Sequence, residues 1–165
     1  NSTPVIIPNS TDDFDSLIWC IEQCQNNKKN FIADPILDPL NFGFTESLMR
    51  YHKLRQMYPK INIMMGTGNI TELTHADTSG ITAMLMGIIT ELKINHVLTA
   101  QVSNHCRTVI KETDIARRIM YAAAKNNVTP KHINSGLLIN HDVENNKVTA
   151  EEIDCLLYTS PSPRD

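Results

Sequence analysis

The chain lacks the features that would send it to a polyanion or a bilayer. Its 15 lysines and arginines are fewer than its 18 aspartates and glutamates, for a formal net charge of −3. The basic residues are scattered, which leaves no electrostatic footprint for nucleic acid or an anionic membrane surface. The longest apolar stretch, around Ala83 to Ile89, is broken by Gly87 and falls far short of the ~20 residues a bilayer span requires. Asn1-Ser2-Thr3-Pro4 has neither the charged start nor the apolar core of a secretory leader, so the expected compartment is cytoplasmic. The four cysteines, Cys20, Cys24, Cys106 and Cys155, form no dense disulfide framework and no paired CxxC spacing. Cys20 and Cys24 lie one helical turn apart, but without a neighbouring histidine or second thiol pair they make a poor zinc site. No metal ligand set is therefore assigned. His52, His96, His132 and His141 show no ligand spacing either.

What is present is a βα rhythm. The 165 residues are 41% hydrophobic and 20% charged, the balance of one globular domain. Val5-Ile6-Ile7 reads as a short strand ended by Pro8. Ser10-Thr11-Asp12-Asp13 then has the hydroxyl and early acidic groups of a helix start, and Phe14, Leu17, Ile18, Ile21 and Cys24 recur at helical spacing. A second unit runs from Phe31–Asp34, through a loop with two Asp-Pro steps, to a helix opened by Thr45 and closed by Pro59. A third joins Ile61–Met65, through a Gly-containing loop, to a helix from about Thr78 whose Ile81, Leu85, Ile88 and Leu92 form one apolar stripe. A fourth joins His96–Ala100 to a helix through Ile115 and Ile119.

The strands begin near residues 5, 31, 61 and 96, at intervals of 26, 30 and 35 residues. They are too short and too uniformly apolar to alternate, which predicts burial on both faces of a parallel sheet. This spacing suits a TIM (β/α)8 barrel, in which ~250 residues make eight units, so the fold class expected is α/β, a partial TIM barrel of about four parallel βα units. A small open doubly wound sheet is the alternative. Residues 1–126 are then half of a barrel, and 127–154 an extension with a possible short helix or turn near Lys131 to Leu138. Residues 155–165, Cys155-Leu156-Leu157-Tyr158-Thr159-Ser160-Pro161-Ser162-Pro163-Arg164-Asp165, read codon for codon as a translated transposon-type sequencing adaptor and are set apart from the fold. With that tail and no initiator methionine, the chain is expected to be an internal piece of a longer reading frame.

Two strand ends stand out. Phe31-Ile32-Ala33-Asp34-Pro35 runs on into Asp38-Pro39-Leu40-Asn41-Phe42-Gly43-Phe44, and Ile63-Met64-Met65 runs into Gly66-Thr67-Gly68-Asn69. Each apolar run stops at a carboxylate or carboxamide ahead of a helix, which is how a β/α barrel builds a small-molecule site. The segment Asp38 to Phe44 is similar to the sixth-strand region of dihydropteroate synthases. More broadly, Pro4 to about Asp142 resembles the dihydropteroate synthase-like proteins of organisms that use tetrahydromethanopterin. That resemblance includes Met64-Met65-Gly66-Thr67-Gly68-Asn69-Ile70-Thr71-Glu72-Leu73-Thr74 and Leu98-Thr99-Ala100-Gln101-Val102-Ser103.

The resemblance implies a pterin-binding TIM barrel of which these are strands five to eight. A pterin offers a 2-amino group and a neighbouring ring N–H as paired donors, which a buried carboxylate accepts through its two oxygens. Asp34, at the strand end, and Asp38, in the Asp-Pro-Phe-Gly-Phe-like pattern, are the two candidates; the plain reading of either is Asp-Pro turn chemistry. Asn69 is the candidate for the other edge of the pterin, with Gly66 and Gly68 allowing close backbone approach. The Ser-Arg-Lys segment of standard synthases is absent, since no lysine or arginine stands between Gly66 and Ile70. The Gly-x-x-Asn arrangement looks more like the methyltetrahydrofolate-binding barrels of corrinoid-dependent methyltransferases. Gln101, His105 and Arg107, at the end of the last strand, are the phosphate or second-substrate candidates.

By resemblance, the reaction condenses a hydroxymethylpterin diphosphate with an aryl amine, in tetrahydromethanopterin or folate-type cofactor biosynthesis. The pterin is a substrate, and the ligands of any Mg²⁺ are expected in the half of the barrel that precedes these residues, so the piece alone is expected to be inactive and no catalytic residue is assigned to it. That preceding half of the same chain is the expected partner, and the resemblance allows a homodimer. The alternative is a pterin-binding module, either of the methyltransferase type that presents methylpterin to a corrinoid partner or a non-catalytic pterin-binding subunit.

Overall fold

The computed structural model describes residues 2–137. The expected extension from 138 onward and the adaptor-like tail lie outside the described residues. The described residues form four short strands and five helices, in the order β1 Val5–Ile6, α1 Phe14–Asn26, β2 Ile32–Ala33, α2 Phe44–Met57, β3 Met64–Gly66, α3 Gly68–Thr71, α4 Thr78–Glu91, β4 His96–Leu98 and α5 Val109–Asn126, with a 3₁₀ turn at Asn104–Cys106 before α5. β1 pairs with β2 and β3 with β4, all parallel. A single parallel bridge between Ala33 and Ile63 joins the two pairs. The strands thus lie side by side in chain order.

Local chemistry places most helix ends. The Asp13 side chain accepts from the Ser16 amide at the start of α1, an N-cap that satisfies one of the donors a first helical turn leaves open. The expected opening of α2 at Thr45 moves one residue earlier, because Gly43, at φ 105°, turns the chain into the helix. A Cβ on Gly43 would also stand 3.2 Å from Asp38 Oδ2. Asp77 occupies the N-cap position of α4 without a side-chain capping bond. The segment expected as a plain loop after β3 contains the four-residue helix α3. It is held by Thr71 and Glu72 amides donating to the Thr67 and Gly68 carbonyls, too short to leave a periodic signature. Lys131 to Leu137 form turns without a helix, and Leu138 lies outside the described residues.

The core lies between the sheet and its helices. Leu17 and Ile21 of α1, Leu54 of α2 and Leu85 of α4 are fully buried with Ala33 of β2, Met65 of β3 and Ile63 just ahead of β3. Each such aliphatic side chain contributes roughly 1.5–3 kcal/mol when removed from water. α5 packs along α4, and their N-terminal ends are tied by buried Glu112, which accepts from Thr78 Oγ1 at 2.6 Å and Thr108 Oγ1 at 2.8 Å.

The expected burial on both faces is not found among the described residues. Side chains alternate across a strand, so Ala33, Ile63 and Met65 face the helices while their neighbours face away. Val5 is 43%, Ile7 54% and Leu98 59% exposed. The helices of the described residues cover one side only, and the other is a bare apolar surface. No helix among the described residues is long and apolar enough to cross a membrane.

At the amino-terminal ends of β3 and β4, the five N–H groups of Arg55 serve six acceptors, the Nη1 pair being shared among three of them. They reach the carbonyls of Tyr58, Pro59, Ile61, Leu92 and Lys93 and the side chain of Asn95. The Asn95 side chain in turn accepts from the Ile63 amide. Arg55 thereby satisfies the open carbonyls at the end of α4 and ties them to the chain leaving α2. Arg55→Ala is expected to lower unfolding free energy by on the order of 3 kcal/mol, because several carbonyls lose a charged donor together. Urea denaturation followed by circular dichroism measures it, and an unchanged midpoint would mean that water replaces the guanidinium without loss.

Candidate functional site

The site forms where the ends of β2, β3 and β4 open. Asp34 is the last residue that β2 holds in register, its amide donating to the Ile6 carbonyl at 2.9 Å. Its side chain is buried, and Oδ1 accepts from the Tyr51 hydroxyl at 2.7 Å and from the Ile36 amide at 2.8 Å. Burial pushes the Asp34 carboxyl above its ordinary range, while the Tyr51 and Ile36 hydrogen bonds pull the other way. Tyr51 is itself fully buried. Burial first, and the negative Asp34 next, push its phenol far up, so the proton stays on the hydroxyl.

The turn after Asp34 is strained and clamped. Ile36 sits at φ 66°, a left-handed conformation that a β-branched residue rarely adopts. Arg50 reaches back from α2 to the carbonyls of Pro35 and Ile36 and to Asp38 Oδ2, the last at 2.6 Å. Asp38 is buried in that ion pair and against Gly43. Of the two aspartate candidates, Asp34 borders the open cavity, and Asp38 serves the turn.

That cavity has a volume of about 500 Å³, and Asp34, Ile36, Gly66, Asn69, Glu72 and Thr99 are among its lining. α3 brings Asn69 to the wall, where its Nδ2 donates to the Leu37 carbonyl at 2.7 Å. A carbonyl only accepts, so the amide orientation is fixed: Oδ1 and one N–H remain for a ligand. The two strand ends singled out in the sequence therefore meet at one cavity. A Cβ on Gly66 would meet no atom within 4 Å, while one on Gly68 would stand 3.3 Å from the Ala100 Cβ. Gly66 thus leaves open space, and Gly68 serves the close packing of α3 on the end of β4. Thr99 Oγ1 is buried without a partner among the described residues.

The last-strand candidates do not join them. Gln101 donates to the Arg107 carbonyl at 2.6 Å, and the His105 ring lies 3.0 Å from the Thr71 carbonyl and edge-on to His75. Arg107 is exposed and, like Gln101 and His105, is not among the cavity-lining residues. Spacing could not show that Gln101 and His105 are turned to backbone carbonyls. Tyr51 and Arg50 were missed, since a tyrosine and an arginine on an amphipathic helix look like ordinary half-exposed positions until the fold turns them inward.

The donor set does not fit Mg²⁺, which wants several oxygens in near-octahedral array. Glu72, the other carboxylate of the lining, accepts from the Val102 amide at 2.7 Å and the Ser103 amide at 2.9 Å, one on each oxygen. Among the described residues no group of three or more His, Cys, Asp or Glu side chains is placed to hold a metal. Cys20, Cys24 and Cys106 are free thiols, and Cys155 lies outside the described residues.

Comparison with protein-family models gives no match. The chain is 35% identical over 136 residues to an uncharacterized protein of Methanocaldococcus jannaschii, a match that covers 81% of this chain and 25% of that protein. The chain therefore spans about a quarter of the length of the curated relative it matches.

Glu72 gives the site a pH signature. The Ser103 side chain, then the Val102 amide, hold its carboxyl down to about 2 from an ordinary 4.5. A depressed carboxyl stabilises the fold above its unfolded value and ceases to do so as pH falls through the folded one. Amide exchange at Val102 and Ser103 should stay slow at neutral pH and lose its protection between about pH 4.5 and about pH 2. Glu72→Gln should weaken that protection already at neutral pH and flatten its pH dependence, which hydrogen-exchange NMR would register.

Proposed function

We propose that this chain supplies one side of a pterin site, as strands five to eight of a β/α barrel of the dihydropteroate synthase-like type. The observation that carries the reading is the meeting of Asp34 and Asn69, from neighbouring parallel units, at one cavity of about 500 Å³ beyond the carboxyl ends of the strands. A space of that size accommodates a bicyclic heterocycle. Strands in chain order favour a barrel segment over a doubly wound sheet, in which the order reverses at a switch point. The bare apolar face carrying Val5, Ile7 and Leu98 is the side that further βα units of a barrel would enclose.

In this reading Asp34 accepts an N–H of the pterin and Asn69 meets a second polar atom of the ring. In the condensation, the aryl amine nitrogen attacks the methylene carbon of the pterin, the C–O bond to diphosphate breaks, and the amine gives up a proton. Such a displacement depends on alignment and on stabilising the departing charge. Here the residues described align the pterin. His105 and Arg107 remain second-substrate candidates only through loop movement, since both now stand off the cavity.

One observation favours the binding-module alternative. Among the described residues the cavity is lined by two carboxylates, Asp34 and Glu72, and by no lysine or arginine. That lining suits the donor edge of a pterin and offers no cation to a diphosphate, which a barrel presenting methylpterin to a corrinoid partner, or a non-catalytic pterin-binding subunit, does not need.

The test is titration with hydroxymethylpterin followed by fluorescence quenching. Asp34→Asn should weaken binding roughly 100-fold by removing a charged acceptor, whereas Asp38→Asn should perturb stability more than affinity. Gly66→Val should block the cavity with little change in melting temperature, because its first carbon meets no protein atom within 4 Å. Unchanged affinity in both Asp34→Asn and Gly66→Val would remove this reading. Diphosphate release by the whole protein, given the pterin diphosphate and an aryl amine, distinguishes the condensing enzyme from the binding module.

A further inference from the structure

The Asp34 carboxylate cannot present both oxygens to a ligand. Oδ1 already accepts from the Tyr51 hydroxyl and the Ile36 amide, and a carboxylate oxygen has room for about two donors. Oδ2 has no hydrogen-bond partner among the described residues. The Tyr51 hydroxyl carries one proton, and that proton goes to Asp34 from a fully buried ring on α2. The second donor, the Ile36 amide, comes from two residues further along the same turn, where Ile36 is held at φ 66° and Arg50 pins the Pro35 and Ile36 carbonyls. Strain retained beside a candidate site, and over-determined by its surroundings, is a mark of function.

We infer that Tyr51 is a positioning residue: it turns the Asp34 carboxylate so that one oxygen, Oδ2, meets an N–H of the ligand. The inference rests on the pterin-site reading and deepens it. A two-oxygen fork on Asp34 is replaced by a divided grip, in which Asp34 Oδ2 takes one donor of the ligand edge and Asn69 takes a second polar atom. The Tyr51 hydrogen bond also favours the ionised carboxylate against the burial that opposes it. The titratable and charged groups around Asp34 are Tyr51 and Arg50 of α2, Asp38 on the same turn and Glu72 across the cavity. Tyr51→Phe removes a donor to the carboxylate, so the Asp34 pKa should rise. Ligand binding that needs the ionised form should then fail at a higher pH than in the unaltered chain.

The test is carried out on the full chain, with the Asp34 carboxyl followed by carbon-13 NMR without ligand and hydroxymethylpterin affinity followed across pH. Tyr51→Phe is expected to raise the Asp34 pKa by about one unit, to weaken hydroxymethylpterin about tenfold near neutral pH, and to move the pH of half-lost binding upward by a similar amount. Replacing Tyr51 by 3-fluorotyrosine keeps the shape of the ring and strengthens the donor. It should move the Asp34 pKa and the binding midpoint downward, which keeps the test decisive where the phenylalanine variant does not fold. If neither replacement moves the Asp34 pKa or the binding midpoint, the positioning role is overturned. Should hydroxymethylpterin not bind the unaltered chain while the Asp34 pKa still follows the Tyr51 donor, the pterin reading falls and the positioning of the carboxylate stands.

Discussion

The turn between β2 and α2 is the constraint on which the site depends. Five consecutive residues from Asp34 to Asp38 leave the sheet through a left-handed isoleucine, ahead of the stretch that leads to α2 at Phe44. Polar side chains replace the ladder hydrogen bonds lost when the chain leaves the sheet. Tyr51 and Arg50 are neighbours on α2, so one helix supplies both the phenol that fixes Asp34 and the guanidinium that fixes Pro35, Ile36 and Asp38. Because a buried carboxylate without donors is strongly disfavoured, moving α2 would disturb both aspartates together. The geometry of the cavity is thus coupled to helix packing rather than to a free loop.

The two ends of the sheet are built differently. At the amino-terminal ends, Arg55 uses its donors on backbone carbonyls, which knits loops together and leaves little for a ligand. At the carboxyl ends, Asn69 keeps an amide oxygen and an N–H, Asp34 keeps an oxygen, and Thr99 has a hydroxyl without a described partner. Unused polar capacity therefore gathers at the end where parallel βα architectures place ligands. Glu72 belongs to that end but serves order, holding two successive amides of the segment after β4.

Much of the secondary structure was legible. The apolar periodicity of Leu17 and Ile21, or of Ile81 and Leu85, is strong enough to mark a helix without tertiary information. The short strands were located to within a few residues as brief apolar runs, the first of them β-branched and ended by Pro8. What failed were features whose cause is not local. Uniformly apolar strands do not say whether one or both faces are covered, and here the described residues cover one. The four residues of α3 are fewer than a hydrophobic period needs. Gln101, His105 and Arg107 carry the right functional groups, but the backbone carbonyls that face Gln101 and His105 belong to Arg107 and to Thr71 of α3, which meet them only in the folded chain.

The site divides along the same line. Asp34, Asn69 and Gly66 could be picked out because a strand end followed by a polar or glycine residue is a local pattern with a local meaning. By itself the sequence determined the order of βα units, the placement of the principal helices and the residues on which a ligand site could be built. Only the tertiary structure chose between Asp34 and Asp38 at the cavity wall, because that choice depends on Arg50 neutralising one carboxylate while Tyr51 orients the other. Hydrogen bonds between residues twelve to seventeen positions apart leave no periodic trace along the chain; they exist once α2 has packed against β2.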